Sequence, residues 1–396
     1  MAEAPFIPAE PFDVIVVGAG LAGLAATVGF ARAGLRTASV GRLERGGPGR
    51  TVALLGRSLD FLEGLGLRAE VEEQAAPLTG MRIVDDSGSI FAPRPVTFRA
   101  REIGRETFGW NIENARLAPI FEAALSGVAR FESEVVGFDF GADAATLTLA
   151  NGARVSAKLV VGADGRNSPS RKASGIDATS RGFGQSALTL ILRHTRDHDD
   201  VSTEFHTRQG PFTLVPLPPA QGAPYRSSLV WLMRDASYAR IGALDDAALL
   251  GEIHRRAHGF LGDMEIEGAR GAFPMTVQRV SRLIGRRLAL IGDAAHAFPP
   301  IGAQGLNLGM RDAETIVAQA TRAADPGAET TLTAYAAARR PDIMTRTLGV
   351  GLLNISLLAG VLPIDAARGL GLAALGAFRP LRRLAMREGL NPFLAR

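Results

Sequence analysis

The chain of 396 residues contains no cysteine, which excludes disulfides, thiolate nucleophiles, Cys-ligated metals and a cysteinyl link to a cofactor. Lysine occurs only at Lys158 and Lys172, so the basic side is almost all arginine, and the formal net charge is +4. No dense Lys/Arg run with interleaved aromatics exists, which argues against a nucleic-acid partner. A long apolar run is also missing. The most apolar stretch, residues 347–362, is interrupted by Asn354 and several glycines and is too short for a membrane span. Residues 1–11 hold three prolines, Glu3 and Glu10, with no basic segment before an apolar run, so they do not read as a signal peptide. His254 and His258 stand at i, i+4, yet no acid lies between them and no third ligand is evident, so no metal site is expected.

What is present is globular. Hydrophobic residues make up 46% and charged residues 21%, and the length calls for two or three subdomains. Asp13–Val17 reads as a buried strand, Gly18-Ala-Gly-Leu-Ala-Gly23 follows at once, and a small-residue helix runs on to Gly34 before a second strand, Leu35–Val40. This is a βαβ unit with the G-x-G-x-x-G fingerprint in its required place. Gly18 permits the tight turn, Gly20 lets backbone approach a pyrophosphate, and Gly23 lets helix and strand pack closely. The acid that should grip the adenosine ribose is missing: Gly41 stands there, with Glu44 three residues on.

Three further segments stand out. Leu288–Ile291 reads as a strand ended by Gly292-Asp293, and a loop containing Pro299-Pro300, Gly302 and Gly305 leads to a helix that starts near Gln304. An acid at a strand end and bare amides at a helix start suit a polar, partly anionic cofactor. Val155–Val161 is another strand, ending in Gly162-Ala-Asp-Gly165, where Asp164 can accept from ribose or amide donors. Arg50–Leu55 opens a segment whose Leu55, Leu59, Leu62, Leu65 spacing predicts a helix, with Arg50 at its start facing either phosphates or solvent. Phe205 and residues 210–218 predict an edge strand and a pocket wall. A helix over 331–340 is expected to stop at Pro341, and a basic, apolar-faced tail carries Arg379, Arg382, Arg383 and Arg387 among Leu381, Leu384 and Met386.

Gly18-x-Gly-x-x-Gly23, Asp164-Gly165 and Gly292-Asp293, in that order, resemble the single-Rossmann flavin monooxygenases of the para-hydroxybenzoate hydroxylase type. Arg50-Thr-Val-Ala-Leu, Gly210-Pro-Phe-Thr-Leu-Val-Pro-Leu and Pro299-Pro-Ile-Gly-Ala-Gln-Gly-Leu-Asn307 are similar to the branch that hydroxylates polyprenylated phenols in ubiquinone biosynthesis. Departures are Gly41 in place of an acid, and Ala115 where many relatives carry arginine after the asparagine, with Arg116 one place on.

The resemblance implies an α/β fold: a Rossmann-like FAD-binding domain interleaved with a β-sheet substrate domain, plus C-terminal helices. The FAD-binding parts are expected at 12–80, 101–179 and 277–330, the substrate parts at 81–100 and 180–276, and the helical tail at 331–396. It further implies that Gly18, Gly20, Leu21, Ala22 and Gly23 seat the pyrophosphate of FAD. Arg50, Asn114, Asp164 and Asp293 make further cofactor contacts, and Gly302, Gln304, Gly305, Leu306 and Asn307 line the isoalloxazine. Pro300, Gly302 and Gln304 surround the reacting ring, where reduced flavin captures O2 as a C4a-hydroperoxide, with NAD(P)H or a separate reductase as electron donor. The base remains open; His296 is nearest in sequence, and Phe212, Leu214 and Trp231 are candidates for the substrate wall. A lipophilic phenolic substrate, peripheral contact with the inner face of the cytoplasmic membrane and a ubiquinone-biosynthesis complex complete the expectation. Two readings stand beside it: a flavin reductase or dehydrogenase reducing an isoprenoid double bond, and a flavin-free binding protein.

Overall fold

The structure is a computed structural model that describes residues 10–43, 47–88, 94–297, 304–358 and 362–390. In chain order the first unit is β1 (Phe12–Ala19), α1 (Leu21–Arg32) and β2 (Thr37–Leu43). There follow β3 (Thr51–Leu55), α2 (Arg57–Gly64), α3 (Arg68–Glu73), β4 (Ala76–Leu78), β5 (Gly80–Asp85) and β6 (Val96–Arg99). Next come β7 (Gly109–Glu113), α4 (Asn114–Ala123), β8 (Ala129–Phe131), β9 (Val135–Phe140), β10 (Ala145–Leu149), β11 (Arg154–Gly162) and α5 (Pro169–Ala173). The long strands β12 (Ala178–His194), β13 (Val201–Thr207), β14 (Gly210–Leu217) and β15 (Tyr225–Arg234) precede α6 (Asp235–Gly242), α7 (Asp246–Arg256) and β16 (Met264–Val280). The chain ends through β17 (Ile284–Gly285), β18 (Leu288–Leu290), β19 (His296–Ala297), α8 (Gln304–Arg322), α9 (Glu329–Leu358), α10 (Leu362–Ala377) and α11 (Arg379–Leu390).

A first sheet has the order β17-β18-β11-β1-β2-β8, with β10 and β9 branching from β11. Strands β18, β11, β1, β2 and β8 run parallel. A parallel sheet is covered on both faces, and β1 obeys that rule. Val14 and Val16 enter the core under α1, α4 and α8, while Ile15 and Val17 enter the core shared with β9 and β10. A second sheet, β19-β16-β12-β15-β14-β13-β5-β6, is antiparallel except where β13 meets β5, and a small sheet β3-β7-β4 bridges the two. The α/β architecture with its interleaved sheets and C-terminal helices is therefore as expected.

Three local expectations are corrected. Arg50–Leu55 does not begin a helix: residues 51–55 are strand β3 paired with β7, and the helical spacing takes over only at Arg57. Thr51, Val52 and their alternate burial carry the period of two that the leucine spacing masked. Pro341 does not stop α9, which runs to Leu358. Proline removes one backbone donor, but Asp342 beside it is 1% exposed and takes Arg311, Arg339 and Arg346 as ion-pair partners, so tertiary contacts carry the helix past the break. Nor is the 210–217 strand an edge: β14 lies between β13 and β15, and its prolines sit where neighbours do not need a donor.

Candidate active site

A cavity of about 760 Å³ lies between the carboxyl ends of β1, β2, β11 and β18 and one face of the second sheet. The glycine turn forms its floor. Gly18 has φ +111°, and a Cβ there would come within 2.3 Å of the Ala163 carbonyl oxygen; one at Gly23 would come within 2.1 Å of the Gly18 oxygen. These two glycines let β1, α1 and the end of β11 meet. A Cβ at Gly20 would meet nothing within 4 Å, so the open side of this residue is the cavity itself. Gly20 caps α1 without a side-chain hydrogen bond and no acid stands in the first turn, so the helix amides remain available to an anion. Leu21 and Ala22 line the same floor.

The two acidic loops are stitched together by arginines that no sequence pattern indicated. Arg166 reaches Asp293 Oδ2 at 3.4 Å and Thr276 Oγ1 at 3.1 Å. Arg171, 4% exposed, donates to the carbonyls of Ala294 (2.9 Å) and Arg166 (2.6 Å). Burial pushes the Arg171 pKa down, with Asp164 acting against it. Asp293 keeps a half-exposed carboxylate on the cavity. Asp164 also lines it, but its carboxylate turns back on its own loop, accepting from Ser168 Oγ, Ser170 N (2.8 Å) and Ser170 Oγ (2.9 Å). Its side chain therefore organises the turn, and the Ser170 amide is one of the two kinds of donor expected for it.

Behind the Gly292–Asp293 turn lies a fully buried ionic cluster. Asp312 is 0% exposed; its Oδ2 accepts from Gly292 N (3.0 Å) and His296 Nε2 (2.7 Å), and its Oδ1 from Arg339 Nε (2.7 Å). Burial pushes the Asp312 carboxyl up, but His296 and Arg339 outweigh it and hold the group below its ordinary value. Burial lowers Arg311 to about 10 despite its bond to Asp342. Tyr335 donates to the Leu290 carbonyl at 2.7 Å, tying α9 to β18. His296 is 2% exposed and does not line the cavity, so the residue nearest in sequence to the flavin loop packs the loop and is not positioned as a base.

Gly305 and Leu306 line the cavity at the start of α8. Asn307 does not: its Nδ2 donates to Ala53 O (2.7 Å) and its Oδ1 accepts from Leu55 N (2.9 Å), fastening α8 to β3. Gln304 is the first residue of α8, whereas Pro299, Pro300 and Gly302 lie outside the described residues. Asn114, first residue of α4, faces the cavity with an Oδ1 that has no protein hydrogen-bond partner, an acceptor suited to a ligand donor. Arg50 lines the cavity with its guanidinium 5.6 Å from the ring centre of Phe273. Arg116 pairs with Glu113 at 3.3 Å and does not reach the cavity. Glu44 lies outside the described residues.

Gly41 has φ +142°, and a Cβ would crowd Ala19 N (3.2 Å) and Gly18 Cα (3.3 Å), so a side chain is unwelcome where the ribose acid was expected. Arg42 and, from beyond the end of the neighbouring strand β8, Ser133 and Glu134 line that end of the cavity instead.

The wall on the second sheet differs from the one expected. Phe212 (0%), Leu214 (2%) and Trp231 (0%) belong to the core beneath α6 and α7, on the far face of the sheet. The cavity face carries the alternate residues Thr213, Val215 and Val230, with Met81, Ser202, Glu204 and Phe273. In a strand the side chains alternate faces, and Phe212 and Trp231 fall on the side away from the cavity. Among the described residues no group of three metal-ligating side chains exists, and His258 pairs with Asp86 at 3.2 Å.

The glycine cradle, the open helix terminus and the orphaned Asn114 oxygen fit FAD, and the fold around them is that of a flavin-dependent monooxygenase. A family model described as an FAD binding domain matches residues 11–347, and the chain belongs to that family. It is 32% identical to the ubiquinone hydroxylase UbiL of Rhodospirillum rubrum, covering 96% of this chain and 89% of that one. It is 27% identical to the 3-demethoxyubiquinol 3-hydroxylase of Escherichia coli, covering 96% and 99%. Among solved structures, p-nitrophenol 4-monooxygenase PnpA from Pseudomonas putida superimposes with a TM-score of 0.77 at 19% identity, covering 96% and 98%. A variant of HpxO from Klebsiella pneumoniae complexed with FAD also gives 0.77, at 20% identity and the same coverage. The protein is thus an FAD-dependent monooxygenase related to the ubiquinone-biosynthesis hydroxylases.

Proposed function

We propose that this enzyme hydroxylates the aromatic ring of a polyprenylated phenol in ubiquinone biosynthesis, using O2 and electrons from NAD(P)H or a separate reductase. The observation that carries this reading is one cavity in which the cofactor cradle runs directly into an apolar wall of Leu78, Met81, Phe108, Val215, Val230 and Phe273. Such a wall matches a lipophilic ring and excludes water from the reaction. Bound FAD would supply the oxygen-activating redox chemistry. The chain's own part is positional: Gly18, Gly20, Leu21, Ala22 and Gly23 hold the pyrophosphate, and Asn114 offers its free oxygen to a cofactor donor. Asp293 meets the ribityl region, while Gly305 and Leu306 stand at the positive end of α8 beside the flavin ring. Pro300, Gly302 and Gln304 belong to the same proposal as the loop over the reacting face. The test is aerobic NAD(P)H oxidation by the flavin-loaded enzyme with 2-geranylphenol. Product heavier by one oxygen atom supports the reading. Oxygen-independent reduction of the side chain would transfer it to a reductase on the same fold.

Glu134 takes the ribose role left open at Gly41 in this reading, since it stands just past the end of β8, beside β2, and faces the cavity. Glu134→Gln is expected to weaken FAD about tenfold, the worth of a hydrogen bond to a charged group, while FMN, which lacks the adenosine, binds unchanged. Equal FAD affinity in wild type and variant, by titration of the apoprotein, would remove Glu134 from the site.

The tail supports substrate capture from a lipid surface. Met386 and Leu390 pack with Val96, Phe98 and Phe108, and Arg382 pairs with Glu102, so α11 docks beside the cavity wall. Leu370 (70% exposed), Phe378 (67%), Leu381 (46%) and Leu384 (57%) stay uncovered, flanked by exposed Arg379, Arg383 and Arg387. Among the described residues no helix is long and apolar enough to cross a membrane. An apolar surface with a basic fringe suits an anionic bilayer, here the inner face of the cytoplasmic membrane. Leu381→Asp/Leu384→Asp should cut flotation with anionic vesicles at least fivefold, each buried leucine being worth about 1.5–3 kcal/mol, without changing the melting temperature. Undiminished flotation would discard this surface.

A further inference from the structure

We propose that Glu204 is the catalytic base that takes the phenol proton during hydroxylation; the assignment rests on the phenol reading above. Every other described cavity residue from the second sheet is apolar or a neutral hydroxyl, namely Met81, Val215, Val230, Phe273, Ser202 and Thr213. Among the described residues Glu204 is the one titratable side chain that this sheet presents to the cavity, and its side chain is only 19% exposed. A carboxylate sunk in an apolar wall is costly unless it is partnered. The partner is His206, two residues along the same strand, whose Nε2 lies 2.7 Å from Glu204 Oε1. The second oxygen, Oε2, has only a 3.5 Å approach from Thr213 Oγ1, which leaves it room to receive a hydroxyl.

His206 is 4% exposed, and its Nδ1 is buried without a hydrogen-bond partner. The Nε2 contact fixes Glu204 in one orientation, much as an orienting group fixes a base in other sites. Asp85, opposite His206 on β5, has its Oδ1 bonded to Ser87, whose carbonyl accepts from Arg208 Nε at 2.7 Å. Arg82 and His258 belong to a separate cleft on the reverse face, with Thr203 and Leu214. An apolar ring laid over Glu204 would exclude water from the carboxylate and leave the phenol hydroxyl as its nearest donor.

The proton and electron changes balance. As the ring carbon bonds to one oxygen atom derived from O2, the O–O bond breaks and the second oxygen atom leaves as water. The ring gives up two electrons, the NAD(P)H or reductase of the parent reaction supplies the other two, and the phenol oxygen folds a lone pair inward. The phenol O–H bond breaks and its proton forms an O–H bond on Glu204 Oε2. When the C–H bond at the hydroxylated carbon then breaks, with that proton passing to water, aromaticity returns and Glu204 gives its proton back to the original phenol oxygen. The carboxylate is regenerated, and the oxidant remains the O2 of the parent reaction.

The experiment uses FAD-loaded wild type and Glu204→Gln with two probes: 2-geranylphenol, neutral at about pH 7.5, and a nitro-substituted 2-geranylphenol that is ionised there. Flavin absorbance, probe affinity from the flavin spectrum, and hydroxylated product per NAD(P)H consumed are measured. Expected for the variant are full flavin loading, probe affinity within about threefold, and product from the neutral phenol down about 100-fold, as for loss of a positioned base. Product from the ionised phenol should fall less than about threefold, because it needs no base. An equal fall for both probes, or no fall for the neutral one, overturns the assignment. If Glu204→Gln fails to hold FAD, Glu204→Asp replaces it; the shortened carboxylate must also lose the neutral phenol selectively, and equal rates on both probes overturn the proposal. Wild type that hydroxylates neither probe defeats the phenol reading itself, whereas active wild type with an unaffected variant defeats Glu204 alone.

Discussion

An Asp312→Ala variant is expected to lose about 3–5 kcal/mol of stability, the usual consequence of breaking a buried ion pair from one side. The deletion takes one of two carboxylates from the buried Arg339 guanidinium, which keeps Asp342, removes the carboxylate bonded to the His296 ring, and leaves the Gly292 amide without its acceptor. Because that amide belongs to the turn presenting Asp293 to the cavity, FAD should dissociate at a lower temperature than the fold melts. Thermal melts followed by flavin fluorescence and by circular dichroism would separate the two events. Coincident, unshifted transitions in wild type and variant would refute the role. The pH dependence has a definite sign. Asp312 and Asp342 are both held below their ordinary values, Asp342 by Arg311, Arg339 and Arg346 against the effect of its burial. Their contribution is therefore fully present above about pH 4, the unfolded value, and is lost as the pH falls through the depressed folded values. Asp312→Asn should be less stable at neutral pH and lose less further stability below about pH 4 than wild type.

Gly18→Ala is the second large effect. The new methyl would combine a φ of +111° with a 2.3 Å approach to the Ala163 carbonyl oxygen and 2.8 Å to Asp164 N, both backbone atoms that cannot step aside. Backbone strain of about 1–3 kcal/mol and overpacking of about 1–3 kcal/mol add to roughly 2–6 kcal/mol. Part falls on the fold and part on the cofactor, because the same contact holds the Gly18 turn against the Asp164 loop. Gly20→Ala is the informative contrast. Its methyl meets no protein atom within 4 Å, so the apoprotein should melt as wild type does while FAD affinity falls, the methyl occupying ligand space. Apoprotein melts and FAD titrations on the pair decide the matter; a tolerated Gly18→Ala would show that the turn can open.

Sequence made the cofactor half legible where backbone alone does the work. The Gly18–Gly23 turn needs small residues whatever surrounds it, and the strand ends at Asp164 and Asp293 follow from apolar runs that stop at glycine. Side-chain direction was less legible. Asp164 and Asn307 sit in the segments expected, but Asp164 closes its own turn through a serine six residues on, and Asn307 clamps β3, a partner far along the chain. Phe212 and Trp231 were legible as strand residues but not as to face, because the α6–α7 layer that claims them is visible only in three dimensions. Only with that layer in place does the alternation of β13 turn Glu204 towards the cavity. The passage of α9 through Pro341 likewise depends on an arginine from α8, which a local rule about proline does not include.

The short strand β19 pairs with β16 through Gln278–Ala297 and Arg279–His296, although it begins three residues after Asp293. The chain thus leaves the first sheet at β18 and is sewn onto the second sheet before α8 begins. Since β5 and β6 also join that sheet from far earlier in the chain, neither half is a continuous stretch, and no single cut would release one of them whole. Folding must therefore close long loops before either sheet is complete, which favours slow, concerted acquisition of structure. Fragments expressed separately should be recovered as aggregates, and the two walls of the cavity should come into being together.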